Sequence, residues 1–216
     1  MKITKLAHSC LLVEMPEPVN RTVLFDPGIM SAELIKAADL VYLDDIVITH
    51  EHQDHFDTSV VTELAAKFPE VRILAPQPVA GQLQQNGISA STTPAEGMKL
   101  FAAPHEELQP LGKTPEAIGV HYLDRLTHPG DSHHFDETKP VLALPVTAPW
   151  GTTVRAVELA LRLKPQYVIP IHDWLWRDEW REQMYDGLAA RFAAEDIEFI
   201  RPVDGQPFVL DIAVKG

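Results

Sequence analysis

The sequence predicts an α/β fold, read as one domain over residues 1–216, and three observations carry that prediction. Short apolar runs of strand length, Ile3 to Leu6, Cys10 to Glu14 and Thr22 to Asp26, crowd the start of the chain and suggest an antiparallel sheet. Beyond them, strand and helix periodicities alternate as far as Asn86-Gly87. The last third returns to that alternation after a middle of short strands, so the chain reads as two similar α/β halves.

Each element has a local reason. The first two strands break around His8-Ser9, and the third stops at Asp26-Pro27-Gly28 after the turn residues Pro16 to Asn20. Ser31 to Ala38 predicts a short helix with Ser31 as N-cap, and Ile46 to Thr49 a buried strand. Thr58 or Ser59 can cap a helix through Phe68 that places Val60, Val61, Leu64 and Phe68 on one face. Val71 to Ala75 is a strand, and Val79 to Gln85 a helix closed by Asn86-Gly87. In the middle, Met98 to Ala102, Gly119 to Leu123 and Val141 to Leu144 are strands between turns rich in Pro, Gly and His. Thr152 or Thr153 caps a helix through Leu163 with Val154, Val157, Ala160 and Leu161 at helical spacing. Tyr167 to Ile171 is a strand ending at His172, Glu179 to Ala194 an amphipathic helix and Phe208 to Ile212 a closing strand.

Composition narrows the function classes. A formal charge of −13 repels phosphodiester backbones, so nucleic acid is not an expected partner. The lone Cys10 allows no intrachain disulfide and is read as a buried small hydrophobe. The start Met1 to Lys5 lacks an apolar leader pattern, and no run of about 18 apolar residues occurs. The expectation is a soluble cytoplasmic protein acting on a small molecule, with no membrane partner and with homo-oligomerisation left open.

The chemistry concentrates in Thr49-His50-Glu51-His52-Gln53-Asp54-His55, at the end of the apolar run Ile46-Val47-Ile48. His50 and His52, two apart on extended backbone, point to the same side and can share one ion. Asp54 and His55 follow where the chain turns and can serve a second. A catalytic zinc takes about three protein ligands plus water, so further donors are needed. His105, Asp131 and His172, each just after a predicted strand, are the candidates. One distribution places His50, His52 and His105 on the first ion and Asp54, His55 and His172 on the second, with Asp131 bridging.

These residues, with Ala7-His8-Ser9-Cys10-Leu11-Leu12-Val13-Glu14, Leu24-Phe25-Asp26-Pro27-Gly28, Pro104-His105, His128-Pro129-Gly130-Asp131-Ser132 and Ile169-Pro170-Ile171-His172, make the chain resemble a metallo-β-lactamase-fold hydrolase. It is most similar to the small proteins grouped with ascorbate-6-phosphate lactonase and the uncharacterised metal-dependent hydrolases. The resemblance implies a four-layer αββα sandwich, the same ligand assignment, Asp26 in a role orienting the motif loop, and His8 near the cavity mouth. It implies a dinuclear enzyme in which a metal-bridging hydroxide cleaves a small ester, lactone or phosphoester, with Asp54 accepting or relaying the proton. The two divalent ions would be zinc first, with manganese, nickel or iron also suited to the N/O donor set.

Other readings stand beside it: a phosphodiesterase, or a metal- or ligand-binding protein that has lost hydrolysis. His133 and His134 are read first as solvent-exposed turn residues, with lining of the substrate cavity as the alternative for both. His121 and His128 are read as strand or turn residues without a special role. Trp174 and Trp176 wall the pocket or pack on a helix.

Overall fold

The computed structural model describes residues 1–212 and divides into two compact units, residues 1–95 with the chain from 203 onward, and residues 96–202. The first unit begins with the antiparallel strands β1 (Lys2–Lys5), β2 (Leu11–Met15) and β3 (Arg21–Phe25), then adds β4 (Asp45–Val47) and β5 (Arg72–Leu74) in parallel. The switch to parallel pairing follows from the intervening helices, because parallel neighbours need a long crossover. Those helices are α1 (Ala32–Ala37), α2 (Thr58–Lys67) and α3 (Gln77–Gln85). Their buried faces, including Ile35, Val60, Val61, Leu64, Val79 and Leu83, pack with Leu24, Ile46, Ile48 and Ile73. Each such aliphatic side chain contributes about 1.5–3 kcal/mol by leaving water.

The second unit repeats the plan. β6 (Met98–Phe101), β7 (Gly119–Tyr122) and β8 (Leu126–His128) pair antiparallel, and β9 (Val141–Pro145), β10 (Tyr167–Ile171) and β11 (Glu198–Phe199) continue in parallel. α4 (Thr153–Leu163) and α5 (Asp178–Ala193) supply the second core through Ala156, Leu159, Ala160, Tyr185, Leu188 and Phe192. The chain then returns to the first unit, where β12 (Pro207–Val209) pairs antiparallel with β1.

Several local expectations are corrected. α2 is capped by Asp57, not by Thr58 or Ser59: its carboxylate accepts from the backbone N–H groups of Ser59 and Val60. Ser31 does precede α1 but makes no side-chain cap; its hydroxyl donates instead to the Gly28 carbonyl, 2.8 Å away. Thr152 is the cap of α4, accepting from Arg155 N. The buried stripe of α4 runs through Ala156, Leu159 and Ala160, and Val154 is left exposed. β8 and β11 are too short to announce themselves by alternation. The closing strand ends at Val209 rather than reaching Ile212, and residues 213–216 lie outside the described chain.

Candidate metal centre

In the first unit, β4 points the chain into the His50–His55 turn, and that turn is held from three sides. Backbone bonds run from Ile29 N to Gln53 O at 2.9 Å and from Asp57 N to Pro27 O at 3.0 Å, docking the Asp26-Pro27-Gly28 segment onto it. Gly28 is required there, because a Cβ would sit 2.1 Å from the Asp54 carbonyl oxygen. The buried Asp26 carboxylate accepts from Thr49 N (2.7 Å), Thr49 Oγ1 (2.8 Å) and His55 Nδ1 (2.7 Å). This is the outer carboxylate–imidazole contact that sets the tautomer of a metal-binding histidine and leaves Nε2 for the metal. Sequence reasoning placed Asp26 beside the site but missed Thr49 as the residue it locks.

Within this unit the motif presents two groups of donors, His50 with His52 and Asp54 with His55. His50 Nε2 and His52 Nδ1 approach to 3.0 Å. In the other, Asp54 Oδ2 lies 3.0 Å from His8 Nε2 and 3.8 Å from His55 Nε2. His8, expected only near a cavity mouth, is therefore hydrogen-bonded to a candidate ligand. Ala7, His8 and Asp26 all hold left-handed backbone, with φ of 67°, 50° and 46°. That conformation costs a non-glycine residue about 1–2 kcal/mol, and such strain concentrates where geometry serves a function.

The second unit carries the remaining expected donors. Asp131, buried at the end of the β8 turn, directs Oδ2 at His105 Nε2 (3.3 Å) and Oδ1 at His172 Nε2 (2.7 Å). Asp131 thus places one carboxylate oxygen beside each of two imidazoles. His105 Nδ1 donates to the Glu106 carbonyl at 2.6 Å, again leaving Nε2 for ligation. His172 ends β10 with φ of 60°, and the Tyr185 hydroxyl from α5 donates to the next residue, Asp173, fixing that turn.

Two participants were missed. Glu106 is a buried carboxylate, not part of a solvated turn. It accepts from His133 N at 2.9 Å, lies 3.2 Å from His134 Nε2, and through its own backbone N–H donates to the Asp131 carbonyl at 2.9 Å. The half-buried Trp150 sets its ring edgewise against His105, His133 and His172, with centroids 5.2–5.7 Å apart. Neither carries a sequence signal, since a Glu after a His and a Trp in a Pro-Trp-Gly turn are both ordinary surface patterns.

The doubtful histidines separate. His133 is buried, bonded through Nε2 to the Pro145 carbonyl at 2.8 Å, and burial holds its pKa below the usual histidine range; the exposed reading fails for it and holds for His134. His121 and His128 are buried strand residues, and His121 Nδ1 bonds Thr127 Oγ1 at 2.9 Å. Cys10 is buried, which pushes its thiol pKa up and leaves it inert. Trp174 is exposed, whereas Trp176 packs against the second core.

The donor chemistry fits divalent metal: imidazoles and carboxylates, most of them buried with His52 and Asp54 partly open, and outer partners that orient His55 and His105. Residues 2–172 match the family model described as a β-lactamase superfamily domain. The Mycobacterium tuberculosis protein Rv0786c is 30% identical over 200 residues, covering 87% of this chain and 91% of that protein. A UPF0173 metal-dependent hydrolase of Methanosphaerula palustris is 27% identical, covering 82% and 85%. Among solved structures, a metallo hydrolase from Ignicoccus hospitalis superposes with a TM-score of 0.69 at 18% identity over 97% of this chain and 99% of that one. The metallo-β-lactamase-fold protein YhfI of Bacillus subtilis gives 0.67 at 16%, covering 96% and 98%. Fold and donors together define a metal-dependent hydrolase. The chain belongs to the β-lactamase superfamily and has the metallo-β-lactamase fold. No helix among the described residues is long and apolar enough to cross a membrane.

Proposed function

We propose that the protein is a dinuclear hydrolase of small esters or lactones, with His50, His52 and His105 holding one ion and Asp54, His55 and His172 the other. Asp131 would bridge, and zinc is the favoured metal. The observation that carries this reading is the pair of oriented imidazoles, His55 on Asp26 and His105 on the Glu106 carbonyl, each reserving Nε2 for a ligand. Bound divalent ions lower the pKa of water towards neutrality and polarise the scissile oxygen.

The chain's own residues then position and move protons. Asp54, 28% exposed, accepts the proton at Oδ2, where His8 Nε2 is hydrogen-bonded and can hold or pass it on. Asp26 and Thr49 keep the motif turn rigid. His133 supports the Asp131 loop from outside through Pro145 and Glu106 rather than reaching for substrate.

Elemental analysis of purified protein should find one to two equivalents of metal, and a screen of esters, lactones and phosphodiesters should show metal-dependent turnover of the first two. Loss of turnover in a His52→Ala, Asp54→Ala double variant with unchanged far-UV circular dichroism is the expected control. Full activity in metal-free protein would overturn the reading.

A further inference from the structure

We propose that Trp150 is the substrate-binding wall of the site and selects neutral substrates carrying an aromatic or flat apolar group, a deepening that rests on the hydrolase reading above. Trp150 lies in the loop between β9 and α4. That loop is pinned by reciprocal backbone bonds, Ala148 N to Gly151 O (3.4 Å) and Gly151 N to Ala148 O (3.2 Å), and by Thr152 capping α4. The indole edge reaches His105 and His172, the two imidazoles that turn Nε2 towards Asp131. Two further apolar side chains, Trp174 and Leu175, stand exposed just after His172.

Two arginines of the same unit are disposed differently, whereas Arg177, at the start of α5, is exposed. Arg155 is drawn to the Glu106 carboxylate at 3.8 Å, and Arg125 precedes β8, at the opposite end of that strand from Asp131. A phosphorylated substrate calls for a cation with a free fork of donors, whereas an indole offers dispersion and a π face to a neutral ring. An apolar wall also binds ground state and transition state alike, so its loss should appear in KM rather than kcat.

The test compares dihydrocoumarin, a neutral aromatic lactone, with glucono-δ-lactone 6-phosphate on the zinc-loaded protein. The expected kcat/KM is about tenfold or more in favour of dihydrocoumarin. Trp150→Ala should raise its KM by about tenfold with kcat nearly unchanged, and Trp150→Phe should restore most of the loss. A preference for the phosphorylated lactone, or an unchanged KM in Trp150→Ala, would overturn the proposal. Turnover of neither lactone would instead count against the hydrolase reading. Saturation-transfer NMR of dihydrocoumarin on the same protein then decides the role of Trp150: a signal lost in the Ala variant and kept in the Phe variant supports it, and equal signals refute it. Zinc content and far-UV circular dichroism verify each variant, with Trp150→Leu replacing Trp150→Ala if the latter does not fold.

Discussion

The carboxylate of Asp26 fixes Thr49 N, Thr49 Oγ1 and His55 Nδ1 at once, so its chemistry can be changed without changing its size. Asp26→Asn presents an amide donor to a ring nitrogen that needs an acceptor. Metal affinity should fall about 10–100-fold in competition with a chelating dye, and unaltered affinity would remove Asp26 from the orienting role. Gly28→Ala acts on the same turn by space alone. A Cβ 2.1 Å from the Asp54 carbonyl forces the backbone apart, and an overpacking cost of about 1–3 kcal/mol should appear in urea unfolding together with weakened metal binding. At this scale the donors were legible because His50 to His55 pack five side chains of metal-binding chemistry into six positions. Glu106 was not, because its burial is created by the 131–134 loop, about 27 residues away, and nothing local in Pro104-His105-Glu106 announces that.

The elements that aim these residues were legible where a period is long enough to read. α2 and its apolar face were predicted to within a residue or so, but its cap was not: Asp57, Thr58 and Ser59 all have capping side chains, and the choice is made by backbone conformation. Asp57 is extended, with φ −114° and ψ 114°, whereas Thr58 is already helical. Asp57→Ala should therefore cost about 1 kcal/mol in thermal or urea unfolding, and Thr58→Ala much less. An equal cost for both would contradict the assignment. β8 and β11, three and two residues long, carry no alternation to detect and exist only because β7, β9 and β10 offer them hydrogen-bonding edges. α4 was placed correctly, and Val157, Ala160 and Leu161 of its predicted face pack in the second core; only Val154 is left exposed, while packing adds Ala156 and Leu159 to the covered side.

For the whole chain, two rounds of short strands followed by strand–helix alternation were visible, while the repeated antiparallel-then-parallel pairing and the division at residues 95 and 203 were not, because β8 is too short to read and no linker composition marks the division. Global stability also carries a pH signature that owes nothing to the metal donors. His121 is buried on β7, stacked on Phe101 at 4.3 Å, and burial, reinforced by Lys139 and Lys99, lowers its pKa from 6.5 to about 4 despite Glu137 and Asp124 nearby. Between those values the unfolded chain binds a proton at His121 that the folded chain refuses. Its contribution is thus fully present above pH 6.5 and is lost as pH falls towards 4, by up to about 3 kcal/mol at roughly 1.4 kcal/mol per unit. His121→Gln retains a partner for Thr127 but cannot titrate. In urea unfolding of metal-free protein at pH 7, 5.5 and 4.5, the stability difference between wild type and variant should shrink or reverse as the pH falls. A difference that stays constant across the three would show that His121 is not the titrating group.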